Sequence, residues 1–227
     1  KRRALFELSD LGMPPDTLEV YEALTKSPYG MVICAGPTGS GKTTTLYAAL
    51  SKINSAEINV MTVEDPVEYV FPSVNQIQIN EQAGITFAGG LRSILRQDPD
   101  AILVGEIRDV ETARMAVQSA LTGHLVLSSL HATDAVSALH RFLDMGIESF
   151  LIASCMLGIV GQRLVRRLCP ECKAPYEPTP DEMAMWERSG MPAKDAFFHG
   201  EGCVFCANTG YQGRIGVYEV LRVTDEM

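Results

Sequence analysis

At 227 residues the chain is long enough for one large domain, or for one domain with an appendage, and 46% apolar residues can furnish a sizeable core. A formal charge of −9 counts against a DNA or RNA motor, which normally carries a basic footprint. The longest apolar stretch, Phe150–Val160 (FLIASCMLGIV), is too short to span a bilayer; it reads as a buried or subunit-facing helix. No signal peptide is read, so a cytoplasmic, reducing setting is expected, where disulfides are rare.

Residues 1–28 read as a lead-in from an absent N-terminal domain. Asp16–Leu24 is predicted as a short helix with Asp16 as N-cap, stopped by Pro28. The abrupt start suits a piece of a longer protein. From residue 29 to about 165, apolar strands alternate with helical patterns. Strands are predicted at Met31–Ala35, Val60–Val63, Ile77–Ile79, Ala101–Val104 and Leu125–Ser128. Helices are predicted at Thr43–Ile53, Phe87–Arg96, Val110–Leu121, Asp134–Met145 and Glu148–Gln162. Such alternation argues for an α/β fold with a mostly parallel sheet covered on both faces.

Residues 36–43 read GPTGSGKT, a complete G-x-x-x-x-G-K-T phosphate-binding loop. Its glycines let the backbone curl around phosphates with N–H groups inward. Lys42 would reach the β/γ-phosphates, and Thr43 would supply a hydroxyl to Mg²⁺. A strand before the loop and a helix after it place a helix N-terminus toward the anion. Gly36, Pro37, Thr38, Gly39, Ser40, Gly41, Lys42, Thr43 and Thr44 are therefore the candidate ATP-binding residues.

Val60–Glu68 (VMTVEDPVE) ends an apolar strand in Glu64, Asp65 and Glu68. A carboxylate at a strand's carboxyl end could hold the water that attacks a γ-phosphate, or the segment could be an acidic surface turn. Ala101–Asp109 (AILVGEIRD) resembles a Walker B strand with Glu106 where Asp is usual; either carboxylate suits Mg²⁺ or its waters. Asp98 and Asp100 read as structural, and Asp109 as a cap for the following helix. Gly123–His131 (GHLVLSSLH) carries His124 and His131 at the two ends of a strand, about two nanometres apart. Each reads as a satisfied polar residue or as a γ-phosphate sensor.

Beyond residue 166 the composition shifts to cysteine, proline and aromatic residues, and 166–227 reads as a small metal-stapled segment. Cys169/Cys172 and Cys203/Cys206 form two C-x-x-C knuckles, which in a reducing compartment read as a structural Zn²⁺ site. The gap of residues 173–202 is longer than the common zinc-ribbon spacing, and a redox dithiol or idle thiols are the alternatives. Cys34 and Cys155 read as core residues.

Together, GPTGSGKT, TVEDPVE, ILVGEIRD and GHLVLSSLH, in that order, resemble the Walker A, acidic, Walker B and histidine boxes of the secretion ATPase superfamily of type II secretion and type IV pilus assembly. The cysteine knuckles resemble the metal-binding subdomain of its assembly-type members. The resemblance implies a RecA-like P-loop NTPase core with a small zinc-binding appendage. It implies an ATP- and Mg²⁺-dependent motor that forms a homo-hexamer in the longer protein. That motor would dock on an inner-membrane platform protein, cytoplasmic and peripheral at the bacterial inner membrane. It further implies Glu68 as the catalytic carboxylate, Glu106 as the Mg²⁺-associated one, and His124 and His131 as γ-phosphate or interface sensors. Arginines from an upstream domain would complete the site, so the isolated fragment is expected to hydrolyse weakly. The alternative from another class is a RecA-type nucleic-acid translocase, which the acidic balance disfavours; no nucleic-acid partner is expected.

Overall fold

A computed structural model describes residues 6–194 and 196–224. In chain order the elements are α1 (Pro15–Thr25), β1 (Gly30–Ala35), α2 (Lys42–Ile53), β2 (Val60–Glu64), β3 (Asn75–Gln78), α3 (Phe87–Ile94), β4 (Ala101–Val104), α4 (Val110–Leu121), β5 (Leu125–Leu130), α5 (Ala135–Asp144), α6 (Ser149–Cys155), β6 (Met156–Leu168), β7 (Lys173–Tyr176), α7 (Pro180–Arg188), β8 (Phe197–Gly200) and β9 (Tyr211–Arg222). The chain divides into two compact units, one of residues 1–164 with 216–227 and one of residues 165–215.

The first unit is built on a seven-stranded sheet in the order β3-β2-β4-β5-β1-β6-β9. Every pairing from β3 across to β6 is parallel. The central strands read as continuous apolar runs because both faces are covered. Along β1, Met31, Ile33 and Ala35 join one core, and Val32 and Cys34 join the other. Residues of α3, α4, α5 and α6, among them Leu91, Val117, Phe142 and Ile152, fill the first core. Tyr21 and Leu24 of α1, with Leu46 and Leu50 of α2, fill the second. The chain thus leaves β1 for one face and β4 for the other, and such a divergence opens a crevice at the carboxyl ends of parallel strands.

Local signals set most helix starts. Asp109 caps α4 by accepting from the Thr112 N–H at 2.8 Å, and Asp134 caps α5 through the Ser137 N–H at 2.7 Å. Asp100 accepts from the Asn59 N–H at 2.7 Å, tying the entry of β2 to that of β4. Asp16 does not cap α1: Pro14 is the N-cap, Pro15 opens the helix, and Asp16 lies in its first turn. Its charge there still complements the positive end of the helix dipole.

The helix predicted over Glu148–Gln162, and with it the helical reading of Phe150–Val160, is corrected by the structure. Only Ser149–Cys155 is helical, and the chain is extended from Met156. Val32, Ile33, Cys34 and Ala35 pair with Gly158, Ile159, Val160 and Gly161. Two glycines and two β-branched residues suit a strand better than a helix. A Cβ built on Gly158 would lie 2.6 Å from Leu24 Cδ1 and 2.8 Å from the Leu221 carbonyl, so the close approach needs glycine. Among the described residues no helix is long and apolar enough to cross a membrane.

The second unit holds the antiparallel pair β7–β8 and helix α7. A capping box starts α7, with the Thr179 hydroxyl accepting from the Glu182 N–H at 3.3 Å and Glu182 accepting in return from the Thr179 N–H at 2.8 Å. Residues 166–227, grouped together from sequence, are divided here: Gly216–Arg222 belong to the first unit as part of β9.

Candidate functional site

The loop Gly36–Gly41 joins the carboxyl end of β1 to the first turn of α2. Gly39 (φ 77°) and Gly41 (φ 91°) take left-handed backbone that other residues adopt only under strain. A Cβ on Gly36 would lie 2.4 Å from Ser40 Oγ and 2.6 Å from the Gln162 carbonyl, so the turn closes only with glycine there. The Lys42 ammonium donates to the Gly36 and Pro37 carbonyls at 2.8 and 3.0 Å, lying across the loop. Burial lowers its pKa, and the negative field of Glu106 acts against that shift. From β6, the buried Gln162 amide donates to the Ser40 carbonyl at 2.8 Å. Thr43 and Thr44 are half-buried in the first turn of α2.

Two acidic strand ends lie side by side on the same edge of the sheet. The Gly105 N–H donates to the Val63 carbonyl at 2.8 Å, and a Cβ on Gly105 would lie 3.3 Å from Glu64 Cα. From β5, Ser129 Oγ donates to the Gly105 carbonyl at 2.8 Å. This brings Glu106 to the end of β4, where Arg108 pairs with it and also lies 3.5 Å from Asp65. Glu106 in turn raises the Arg108 pKa.

Glu64 and Glu68 differ sharply in environment. Glu64 is buried, and both its oxygens are occupied: Thr62 Oγ1 donates at 2.5 Å, Gln76 Nε2 at 3.0 Å, and the Tyr47 hydroxyl donates to the other oxygen. Glu68 is exposed on the following loop. That loop is held by its N–H groups: Val67 donates to Gln78 Oε1 at 3.3 Å, Glu68 to the Tyr47 hydroxyl at 3.2 Å, and Phe71 to Gln76 Oε1 at 2.8 Å.

The histidines separate. His131 follows β5 at the loop end and shares a 3.1 Å hydrogen bond with Thr38 Oγ1. His124 precedes β5 at the opposite edge, where its Nδ1 lies 3.0 Å from the Ser119 carbonyl and its own carbonyl accepts from the Gly30 N–H at 3.1 Å. A γ-phosphate at the loop of the same chain would therefore meet His131 and not His124. Separation along one parallel strand forces this outcome, since β5 lies between the two residues.

The oxygen donors fit a nucleoside triphosphate with Mg²⁺. A glycine cradle where a Cβ would clash, a lysine over it, a hydroxyl in the first helical turn and carboxylates on neighbouring strand ends supply what that pair of ligands needs. Tyr47, Gln76 and Gln162 were not singled out by sequence. None belongs to a motif, and only tertiary pairing brings each to this edge.

In the second unit, Cys169, Cys172, Cys203 and Cys206 gather with all four Sγ atoms within 4.8 Å of one another. The Cys169–Cys203, Cys172–Cys206 and Cys203–Cys206 sulfur separations are 3.9, 3.8 and 3.7 Å. A tetrahedral Zn²⁺ with Zn–S bonds of about 2.3 Å requires roughly 3.8 Å between sulfurs, so the donor set fits that ion. The Cys206 sulfur also accepts from the Cys203 and Gly210 N–H groups at 3.2 and 3.3 Å. Burial works against the Cys206 thiolate, but those donors outweigh it and hold the thiol down at about 6. Elemental analysis is expected to give about one zinc per chain, the count for one four-thiolate site. Cys203→Ser should release it and open residues 166–210 to protease while nucleotide binding persists. Zinc loss that left the segment equally resistant would contradict a structural role.

The family model described as type II/IV secretion system protein matches residues 1–227. The chain is 52% identical over 225 residues to the type II secretion system protein E of Dickeya dadantii (strain 3937), covering 99% of this chain and 45% of that protein. It is 46% identical over 222 residues to the type IV pilus assembly ATPase PilB of Thermus thermophilus, covering 97% of this chain and 25% of that one. The chain thus spans less than half the length of these relatives. Among solved structures, the pilus retraction motor PilT with bound ADP superposes at TM-score 0.71 and 30% identity, covering 97% of this chain and 54% of that one. A match along the whole of its length, supported by relatives near half identity, makes this chain a member of the type II/IV secretion system protein family.

Proposed function

We propose that this chain is the ATP-hydrolysing motor part of a machine for type II protein secretion or type IV pilus assembly. The observation that carries the reading is the meeting of the Gly36–Thr44 loop with two acidic strand ends on one sheet edge, in a chain of this family. Family membership favours it over the nucleic-acid translocase.

In this reading the loop's backbone and Lys42 bind the phosphate chain, and His131, beside Thr38, faces the γ-phosphate. Glu68 holds the attacking water and takes its proton: it is exposed and, unlike the exposed Asp65 that lies 3.5 Å from Arg108, makes no ion pair among the described residues. Glu64 has no free oxygen for that task. Thr43 and Glu106 would hold Mg²⁺, which neutralises phosphate charge when bound. The cysteine cluster would hold zinc and staple its own unit. The longer protein would work as a homo-hexamer on an inner-membrane platform protein, at the cytoplasmic face of the bacterial inner membrane.

Glu106→Gln tests the reading of this edge. It removes one charge from the metal site while leaving the loop intact. The expected result is a Mg²⁺ requirement for hydrolysis raised by about tenfold, within the range found when outer contacts to a metal are lost. A Mg²⁺ titration superimposable on that of the unmodified protein would remove Glu106 from the site.

A further inference from the structure

Tyr47 joins two parts of the molecule that the motifs treat separately. It lies on α2, four residues beyond Thr43, and so on the same helix face one turn behind that hydroxyl. Its ring is buried, packing edge-on against Tyr69 and Phe71 with centroids 5.8 and 5.1 Å away. Its hydroxyl has two partners. It donates to the buried Glu64 carboxylate and accepts from the Glu68 N–H at 3.2 Å.

The direction of this relay is fixed by its surroundings. Glu64 is ringed by donors, with Thr62 and Gln76 on one oxygen and Tyr47 on the other, and among the described residues it makes no ion pair. A buried carboxylate with no cation depends on such donors. The Tyr47 proton therefore points at Glu64, which leaves the phenol oxygen's lone pairs for the Glu68 N–H. Burial and the Glu64 bond both raise the phenol's pKa, so it stays a donor at physiological pH.

We infer that Tyr47, oriented by Glu64, is a positioning residue that sets Glu68 relative to the phosphate loop. One rigid helix then carries both the Thr43 hydroxyl at its first turn and the anchor for the Glu68 backbone one turn later. Neither Tyr47 nor Glu64 touches the reacting atoms; both act through Glu68. This rests on reading Glu68 as the hydrolytic carboxylate.

The test is steady-state kinetics and nucleotide titration of the whole protein as Tyr47→Phe, Glu64→Gln, the double variant and Glu68→Gln. Tyr47→Phe removes one oxygen and keeps the packing against Tyr69 and Phe71. It is expected to lower kcat about 10- to 100-fold, the scale of losing sub-ångström placement, with KM and nucleotide Kd within about twofold. The double variant should be no slower than the slower single one, since both substitutions break the same relay. Amide exchange at Val67–Tyr69 should quicken in Tyr47→Phe. A Tyr47→Phe protein with unchanged kcat overturns the inference. So does one whose kcat loss is matched by weaker nucleotide binding, and so do effects that multiply in the double variant. Glu68→Gln separates the two levels. If it retains full turnover, the reading of Glu68 falls and the positioning role with it. If it is dead while Tyr47→Phe is fully active, only the positioning role falls.

Discussion

Glu68→Gln is expected to hold ATP as tightly as the unmodified protein and to lose nearly all hydrolysis. The substitution keeps the shape of the side chain and removes only its basicity. A positioned general base contributes about 10²–10⁴ in rate, so kcat should fall by that factor while nucleotide affinity stays put. The choice between neighbouring glutamates is physical. Glu64 is buried with three donors on its two oxygens, so it is closed to solvent and both oxygens are already engaged. Glu68 is exposed on a loop pinned at three N–H groups, so its side chain is free and its backbone is fixed. Single-turnover hydrolysis with a parallel equilibrium titration separates chemistry from binding. Normal turnover in Glu68→Gln would move the base elsewhere on this edge.

Lys42→Ala should impair both binding and chemistry. The ammonium lies across the loop, bonded to the Gly36 and Pro37 carbonyls. In the transition state it would face charge developing on the β/γ oxygens. Removing one such preorganised stabiliser costs about 10²–10³ in kcat, about 3 kcal/mol. Burial lowers the Lys42 pKa, so part of its charge's stability comes from the field of Glu106. The measurement is kcat/KM for ATP together with nucleotide Kd, both of which should worsen. Unchanged affinity and turnover would remove the loop from the chemistry.

The loop and the parallel core could be read from the chain because their signals are local. Glycine spacing dictates the turn, and the apolar runs of β1, β4 and β5 each lie between turn residues. The capping role of Asp109 is similarly visible, since a cap acts on its own helix; Asp134, read as the first residue of its helix, is its cap instead. The segment after Cys155 is not legible as a strand. An apolar run buried on both sides has no period to separate strand from helix, and pairing with β1 decided the matter. The histidines could be placed at opposite strand ends from spacing alone. Which of them meets the loop depends on strand direction in the assembled sheet. Tyr47, Gln76 and Gln162 carry no motif, because their partners are remote in sequence and appear only once β2, β3 and β6 are in place. The cysteine cluster was legible in residue type, while its closure to sulfur separations of 3.7–3.9 Å needed the fold of the second unit.

Phosphate release from ATP with Mg²⁺, paired with the amount of nucleotide retained, tests most directly whether this sheet edge is a hydrolytic site. It should be measured side by side on the unmodified protein, Lys42→Ala and Glu68→Gln. The expected result is turnover in the unmodified protein, retained nucleotide without turnover in Glu68→Gln, and loss of both in Lys42→Ala. Equal phosphate release from all three proteins would contradict the assignment of the loop and of Glu68 together.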